Sequence, residues 1–255
     1  MGTIVAGPLE QFVVKPLIPL EAGGYDISFT NSSFMMAAAV VIATLLFTVA
    51  VRPGRLVPNR WQAVSEALYE FVAGMLKEQI GPEGRRYFPF VFSLFMIILV
   101  GNLLGMVPVP GVAFTFTSHI IVTFAMALVV FLMVTILGFV RHGAHFLSIF
   151  VPSGSPVWLW PIIIPIEILS YLSRPISLSM RLFANMLAGH ITLKVIAGFS
   201  VMMVGAGAVG AVGSLVPLII NVALTGFEFM VAALQAYIFT ILTCIYLKDT
   251  VELHH

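Results

Sequence analysis

"PIIIPIEILSYLSRPISLSMRLFANMLAGHITLKVIAGFSVMMV", residues 161–204, decides what kind of protein this is. The stretch is apolar for far longer than the ~20 residues a helix needs to cross a bilayer at about 1.5 Å per residue. Yet it carries Glu167, Arg174, Arg181, Asn185, His190 and Lys194. A second over-long apolar stretch, residues 214–247, holds Asn221, Glu228 and Gln235. Either each stretch divides into more spans, or each is one helix lying steeply aslant. The first offers a break only at Arg174-Pro175 or near Gly198, so two long tilted helices are expected.

The rest of the chain sets the same solvent. Of 255 residues 60% are hydrophobic and 9% charged, and the mean hydropathy is +1.08, far outside the range of water-soluble domains. That leaves room for a single membrane domain over 1–255 with five or six spans and none for a separate soluble enzyme. A net charge of +1 without a Lys/Arg cluster excludes nucleic acid as a partner. Cys244 stands alone in an apolar run and reads as a buried thiol. His142 and His145, in "HGAH", have loop spacing, and no metal or cofactor is expected of them. The sequence has no H-E-x-x-H, Walker loop or G-x-S-x-G, the parts that a membrane protease, pump ATPase or lipase needs.

Residues 34–51, 88–107 and 119–140 are three further uncharged runs of spanning length, the last two joined by "PVPG". Between the first two lies "NRWQAVSEALYEFVAGMLKEQIG", within residues 59–81. Its Trp61, Val64, Leu68, Phe71, Val72, Met75 and Leu76 recur at helical steps opposite Gln62, Glu66, Glu70, Lys77 and Glu78. An amphipathic helix over 59–80 lying in the membrane interface is expected. The basic residues of the short loops, Arg52, Arg55, Arg60, Lys77, Arg85, Arg86, Arg141 and Lys248, fall on one side. That side, with the C-terminus, is expected to be cytoplasmic or matrix, leaving residues 1–30 as an external arm without the features of a signal or transit peptide.

Ionisable groups at bilayer depth cost at least ~2.5 kcal/mol each on insertion scales and usually line an interior or an ion path. At about 100° per residue, Arg174 and Arg181 share a face with Ser177, Asn185, Ala188 and Thr192. Apart from the arginines that stripe is small or polar, as close approach by another helix requires. His190 points nearly the opposite way. On the following stretch Glu228 and Gln235 share a face with Ala232 and Leu242, and that face has no cation of its own.

"SLSMRLFANMLAGH", followed by "FEFMVAALQAYIFTILTCIYL", closely resembles the subunit a family of the F-type ATP synthase. The resemblance covers nearly the whole chain, including "GNLLGMVP" and "PIEILSYLSRPISLSMRLFANMLAGH". It implies an all-α integral membrane protein of about five transmembrane helices plus one interfacial helix, acting as the proton-translocating stator subunit of a rotary ATP synthase. By position, Arg181 is similar to the essential stator arginine, Asn185 to its neighbour and Gln235 to the polar residue facing it. His190 and Glu228 match the outer half-channel, Glu167 with Ser170 or Ser173 the inner one, and Arg174 the rotor-facing stripe. Histidine and carboxylate are exchanged at 190 and 228 relative to many bacterial members, as in mitochondrial and related bacterial ones. His119 is a candidate for the outer mouth. The implied partners are a rotor ring of small subunits bearing carboxylates, peripheral-stalk membrane subunits, protons and the bilayer. The implied location is a bacterial plasma membrane or the mitochondrial inner membrane, and ATP chemistry belongs to subunits other than this chain. The competing reading is a self-contained proton-coupled secondary transporter, for which the paired repeats are missing. A structural scaffold would not need so many ionisable groups at membrane depth.

Overall fold

The structure, a computed structural model, describes residues 12–22, 25–26, 28–51, 58–107, 114–151 and 156–251. The loop arginines Arg52 and Arg55, the "PVPG" turn and the first eleven residues of the arm lie outside the described residues. Among the described residues five helical segments are long and apolar enough to cross a membrane.

The arm carries structure that its sequence did not announce. Strand β1 (Pro16–Ile18) pairs antiparallel with β4 (Phe29–Thr30), and β2 (Glu21–Ala22) with β3 (Tyr25–Asp26). Helix α1 (Asn31–Val51) starts directly from β4. The Thr30 hydroxyl accepts from the Ser33 backbone N–H at 3.3 Å, satisfying one of the donors a helix start leaves open. The Asn31 amide donates to the Val13 carbonyl at 3.2 Å and accepts from the Lys15 N–H at 3.1 Å, tying the arm to the helix.

Helix α2 (Arg60–Ile80) begins at the Asn59 cap and ends at Gly81, whose φ of 75° only glycine adopts without strain. A 3-10 turn (Gly81–Tyr87) leads into α3 (Phe88–Met106). The moment of α2 is divided differently from the expectation. Val72, Met75 and Leu76 are buried together with Gln62 and Ser65, whereas Trp61, Val64 and Phe71 remain exposed. Gln62, expected on the watery face, donates to the Glu66 carboxylate at 2.8 Å. That intrahelical bond gives the buried amide nitrogen an acceptor.

Helix α4 (Ile120–His142) buries Thr123, Ala127, Val130, Val134 and Gly138, one residue per turn, and exposes Ile121, Val129, Leu132, Ile136 and Val140. The inward face is the smaller and more polar one, as expected where the outer solvent is lipid. After α4 a 3-10 segment (Gly143–Phe150) folds Phe146 onto Gly138, where a Cβ would stand 2.3 Å from the ring edge.

Each over-long stretch is one helix: α5 (Trp160–Val204) has 45 residues and α7 (Leu215–Val251) has 37, about 68 and 55 Å at ~1.5 Å per residue. Pro165 and Pro175 lie inside α5 without ending it. The short α6 (Ala208–Gly213) connects the two. By packing, the chain forms two compact units. Unit 1 comprises residues 1–44, 97–119 and 183–236, and unit 2 comprises 45–96, 120–182 and 237–255.

Candidate functional site

Within unit 1, α5 and α7 bring the sequence-predicted pair together. His190 Nδ1 lies 3.5 Å from Glu228 Oε1, with 10% and 5% of the two side chains exposed. Burying a carboxylate is costly unless something compensates it, and the imidazole is the titratable group that faces it. Gly189 makes the approach possible, because a Cβ there would stand 2.6 Å from Glu228 Oε1. Neither carboxylate oxygen makes a hydrogen bond among the described residues.

On its other edge His190 Nε2 lies 2.7 Å from the Thr115 hydroxyl. Thr115 opens a buried 3-10 turn, Phe116–Ser118, which side-chain hydrogen bonds fasten within unit 1. The Thr117 hydroxyl donates to Asn102 Oδ1 at 2.7 Å, and Asn102 Nδ2 donates to the Ala232 carbonyl at 3.2 Å, one helical turn beyond Glu228. Phe116 fills the space left by Gly101, and Thr115 that left by Gly105. His119, the candidate for an outer mouth, stacks on the Phe114 ring with centroids 4.8 Å apart. The side chain brought against His190 is Thr115.

An open groove of about 420 Å³ runs between α5 and α7 in this unit. Asn185, Gly189, Thr192, Glu228, Leu234 and Gln235 are among its lining residues. Glu228 therefore has the imidazole on one side and the groove on the other, with the amides of Asn185 and Gln235 further along. That arrangement can hold and hand on a proton.

In unit 2 the polar residues are arranged differently. Arg181 is exposed, as are Ser177 in the same unit and Asn185, Ala188 and Thr192 in unit 1. Arg174, expected on that stripe, instead turns inward. Its Nη2 pairs with Asp249 Oδ2 at 3.1 Å, and the guanidinium lies 5.1 Å from the Tyr171 ring centroid and 4.9 Å from that of Tyr246. A planar, weakly hydrated cation finds in two aromatic faces and one carboxylate a better environment than lipid. The Tyr171 hydroxyl is held by Thr135 at 2.7 Å. Glu167 is half-buried on α5, in the same unit, while Ser170 and Ser173 are exposed. Arg141 pairs with Glu83, and His142 Nε2 lies 3.0 Å from the Thr250 carbonyl. Among the described residues no group of three or more His, Cys, Asp or Glu could hold a metal ion.

A family model described as "ATP synthase A chain" matches residues 33–248. The chain belongs to that family. It is similar to proteins named ATP synthase subunit a throughout their length. The one from Paramagnetospirillum magneticum is 56% identical over 98% of this chain and 100% of its own. The one from Parvibaculum lavamentivorans is 56% identical over 100% and 96%, and that from Rhodospirillum rubrum 51% over 97% and 99%. As an ATP synthase A chain it is a membrane channel subunit, the proton-translocating stator component of the membrane sector, and it works with other subunits of the synthase. The self-contained transporter reading is not supported.

Of the residues around His190 and Glu228, sequence reasoning missed Asn102, Gly105, Thr115, Thr117 and Gly189. One signal was available: Gly101 and Gly105 are four apart in an apolar run with an amide between them, a spacing that admits a close neighbour.

Proposed function

We propose that protons reach the rotor through His190 and Glu228 and pass into the groove lined by Asn185 and Gln235. The observation that carries this is the buried His190–Glu228 pair, which has one member opening onto that groove. A ring of small subunits, each with one membrane carboxylate, turns against the exposed stripe of Arg181, Asn185, Ala188 and Thr192. A proton delivered by Glu228 neutralises a ring carboxylate so that it can enter lipid. After nearly a full turn it leaves on the inner side near Glu167 and the serines Ser170 and Ser173. Arg174, held by Asp249 and two tyrosines, steadies α5 two turns before Arg181.

Arg181 separates the two routes. Its guanidinium keeps its charge at any working pH and attracts an ionised ring carboxylate by on the order of 4 kcal/mol at ~4 Å and an effective dielectric of ~20. A proton on the outer route cannot cross that fixed charge, so it moves only by turning the ring.

The chain then forms one membrane domain. The arm of residues 1–30 lies outside, with His119 near the outer mouth, α2 lies along the inner interface, and the C-terminus is cytoplasmic in a bacterial plasma membrane or on the matrix side in a mitochondrion. Helices α5 and α7 are tilted, because ~30 Å of hydrocarbon cannot accommodate their length upright. Peripheral-stalk subunits hold the chain still, and the chemistry on ATP takes place in a head that this chain does not supply.

Arg181→Lys tests the reading. Lysine keeps the formal charge but is a point charge that loses its proton when desolvated. Inverted membrane vesicles carrying this variant are expected to show no ATP-driven acidification; acidification at the wild-type rate would overturn the assignment.

A further inference from the structure

We propose that Thr115 is a positioning residue for His190: its hydroxyl donates to Nε2, selecting the tautomer that carries its proton on Nδ1, toward Glu228. The inference rests on the proton path proposed above and adds the group that aims it.

A neutral imidazole has one donor and one acceptor nitrogen, and the partner of one fixes the role of the other. Nδ1 faces a carboxylate oxygen at 3.5 Å, and an ionised carboxylate only accepts. With its proton on Nδ1 the ring presents that proton to the carboxylate, and Nε2 is then an acceptor for the Thr115 hydroxyl 2.7 Å away. If the hydroxyl were absent, the ring could turn over or carry its proton on Nε2, and nothing would be aimed at Glu228.

The surroundings of Thr115 are built for this placement. The residue is 5% exposed, and the Ser118 hydroxyl donates to its carbonyl at 2.5 Å. A Cβ on Gly105 would stand 2.1 Å from Thr115 Oγ1, so α3 leaves a space that the threonine side chain occupies. The Thr117–Asn102–Ala232 chain of hydrogen bonds fastens the same turn to α7 one helical turn from Glu228. One set of bonds thus sets both neighbours of the imidazole.

The test uses the whole synthase in native membranes, stripped of its catalytic head, and measures passive proton conduction per assembled complex. Four variants are compared: Thr115→Ser, Thr115→Val, Gly105→Ala and His190→Ala. Thr115→Ser keeps the hydroxyl and is expected to conduct within about two-fold of wild type. Thr115→Val keeps the volume and loses the donor. A misaimed transfer group costs on the order of 10²-fold per ångström, so a fall of at least about ten-fold is expected. Gly105→Ala leaves Thr115 in place chemically but displaces its hydroxyl, and should fall likewise; it decides the matter if Thr115→Val does not assemble.

Conduction by Thr115→Val or Gly105→Ala at the wild-type rate, or by Thr115→Ser as low as by Thr115→Val, overturns the proposal. If His190→Ala is impaired while Thr115→Val is not, only the positioning role fails. If His190→Ala conducts normally, the path itself is wrong.

Discussion

Adding one methyl at Gly189 should uncouple stability from transport. Glycine in the interior of a helix costs about 1 kcal/mol relative to alanine, so by propensity alone Gly189→Ala would firm up α5. Space argues the other way. The new Cβ would stand 2.6 Å from Glu228 Oε1 and 3.0 Å from its carboxyl carbon, whereas unstrained neighbours sit at about 3.5 Å. The carboxylate must retreat by about 0.9 Å from α5, the helix that carries His190. The gap to Nδ1, 3.5 Å in the structure, then exceeds 4 Å, too far to tighten into the ~2.6–3.2 Å of direct proton transfer. At on the order of 10²-fold per ångström of misplacement, ATP-driven acidification of inverted vesicles should drop roughly ten- to a hundred-fold at unchanged complex content. Wild-type acidification by Gly189→Ala would refute the reasoning, because it would mean that Glu228 need not be where the structure puts it. Shortening the acid should compensate: Gly189→Ala with Glu228→Asp is expected to pump better than Gly189→Ala alone, the non-additivity of groups in contact.

Three further outcomes are expected. His190→Glu with Glu228→His restores one acid and one base to the pair, and should retain more ATP-driven pumping than the worse single variant; losses that simply multiply would mean that the two sites are independent. Arg174→Lys keeps a charge for Asp249 but loses the planar face between Tyr171 and Tyr246, so the thermal stability of the purified synthase's membrane sector should fall by about 1–2 kcal/mol, at ~0.5–1 per ring; no change would show that the rings contribute nothing. Cysteines at Trp61 and Glu70 should react with a water-soluble thiol reagent in membranes opened to the inner side, and those at Gln62, Val72 and Leu76 should not; reaction at all five would mean that α2 is not packed against the protein.

Much of this was legible because a bilayer simplifies the code. Long uncharged runs gave the helices, and every polar residue inside them stood out, so Arg181, His190, Glu228 and Gln235 could be named before any geometry was known. Two kinds of feature stayed hidden. Polarity separates water from everything else but does not separate lipid from protein, since lipid tails are as apolar as leucine. The periodicity of α2 could therefore not say that Val72 and Met75 turn inward while Trp61 and Val64 turn outward, nor that Gln62 is buried. The stretch around Thr115 and Thr117 has no periodicity, and its importance comes from partners distant in sequence. Arg174 was misplaced for a related reason: helical geometry puts it on the face of Arg181, but a long side chain chooses its own neighbours, and Asp249 lies beyond the apolar stretch from which that face was drawn.

The bond from Asn102 to the Ala232 carbonyl spans 130 residues of sequence. Asn102 is synthesised early and enters the bilayer with α3, whereas its acceptor arrives only with the last helix. In the interval the amide can satisfy its carbonyl through Thr117, fifteen residues on, but its N–H group faces hydrocarbon, where an unsatisfied polar group costs several kcal/mol. A nascent chain is thus marked as unfinished until α7 docks.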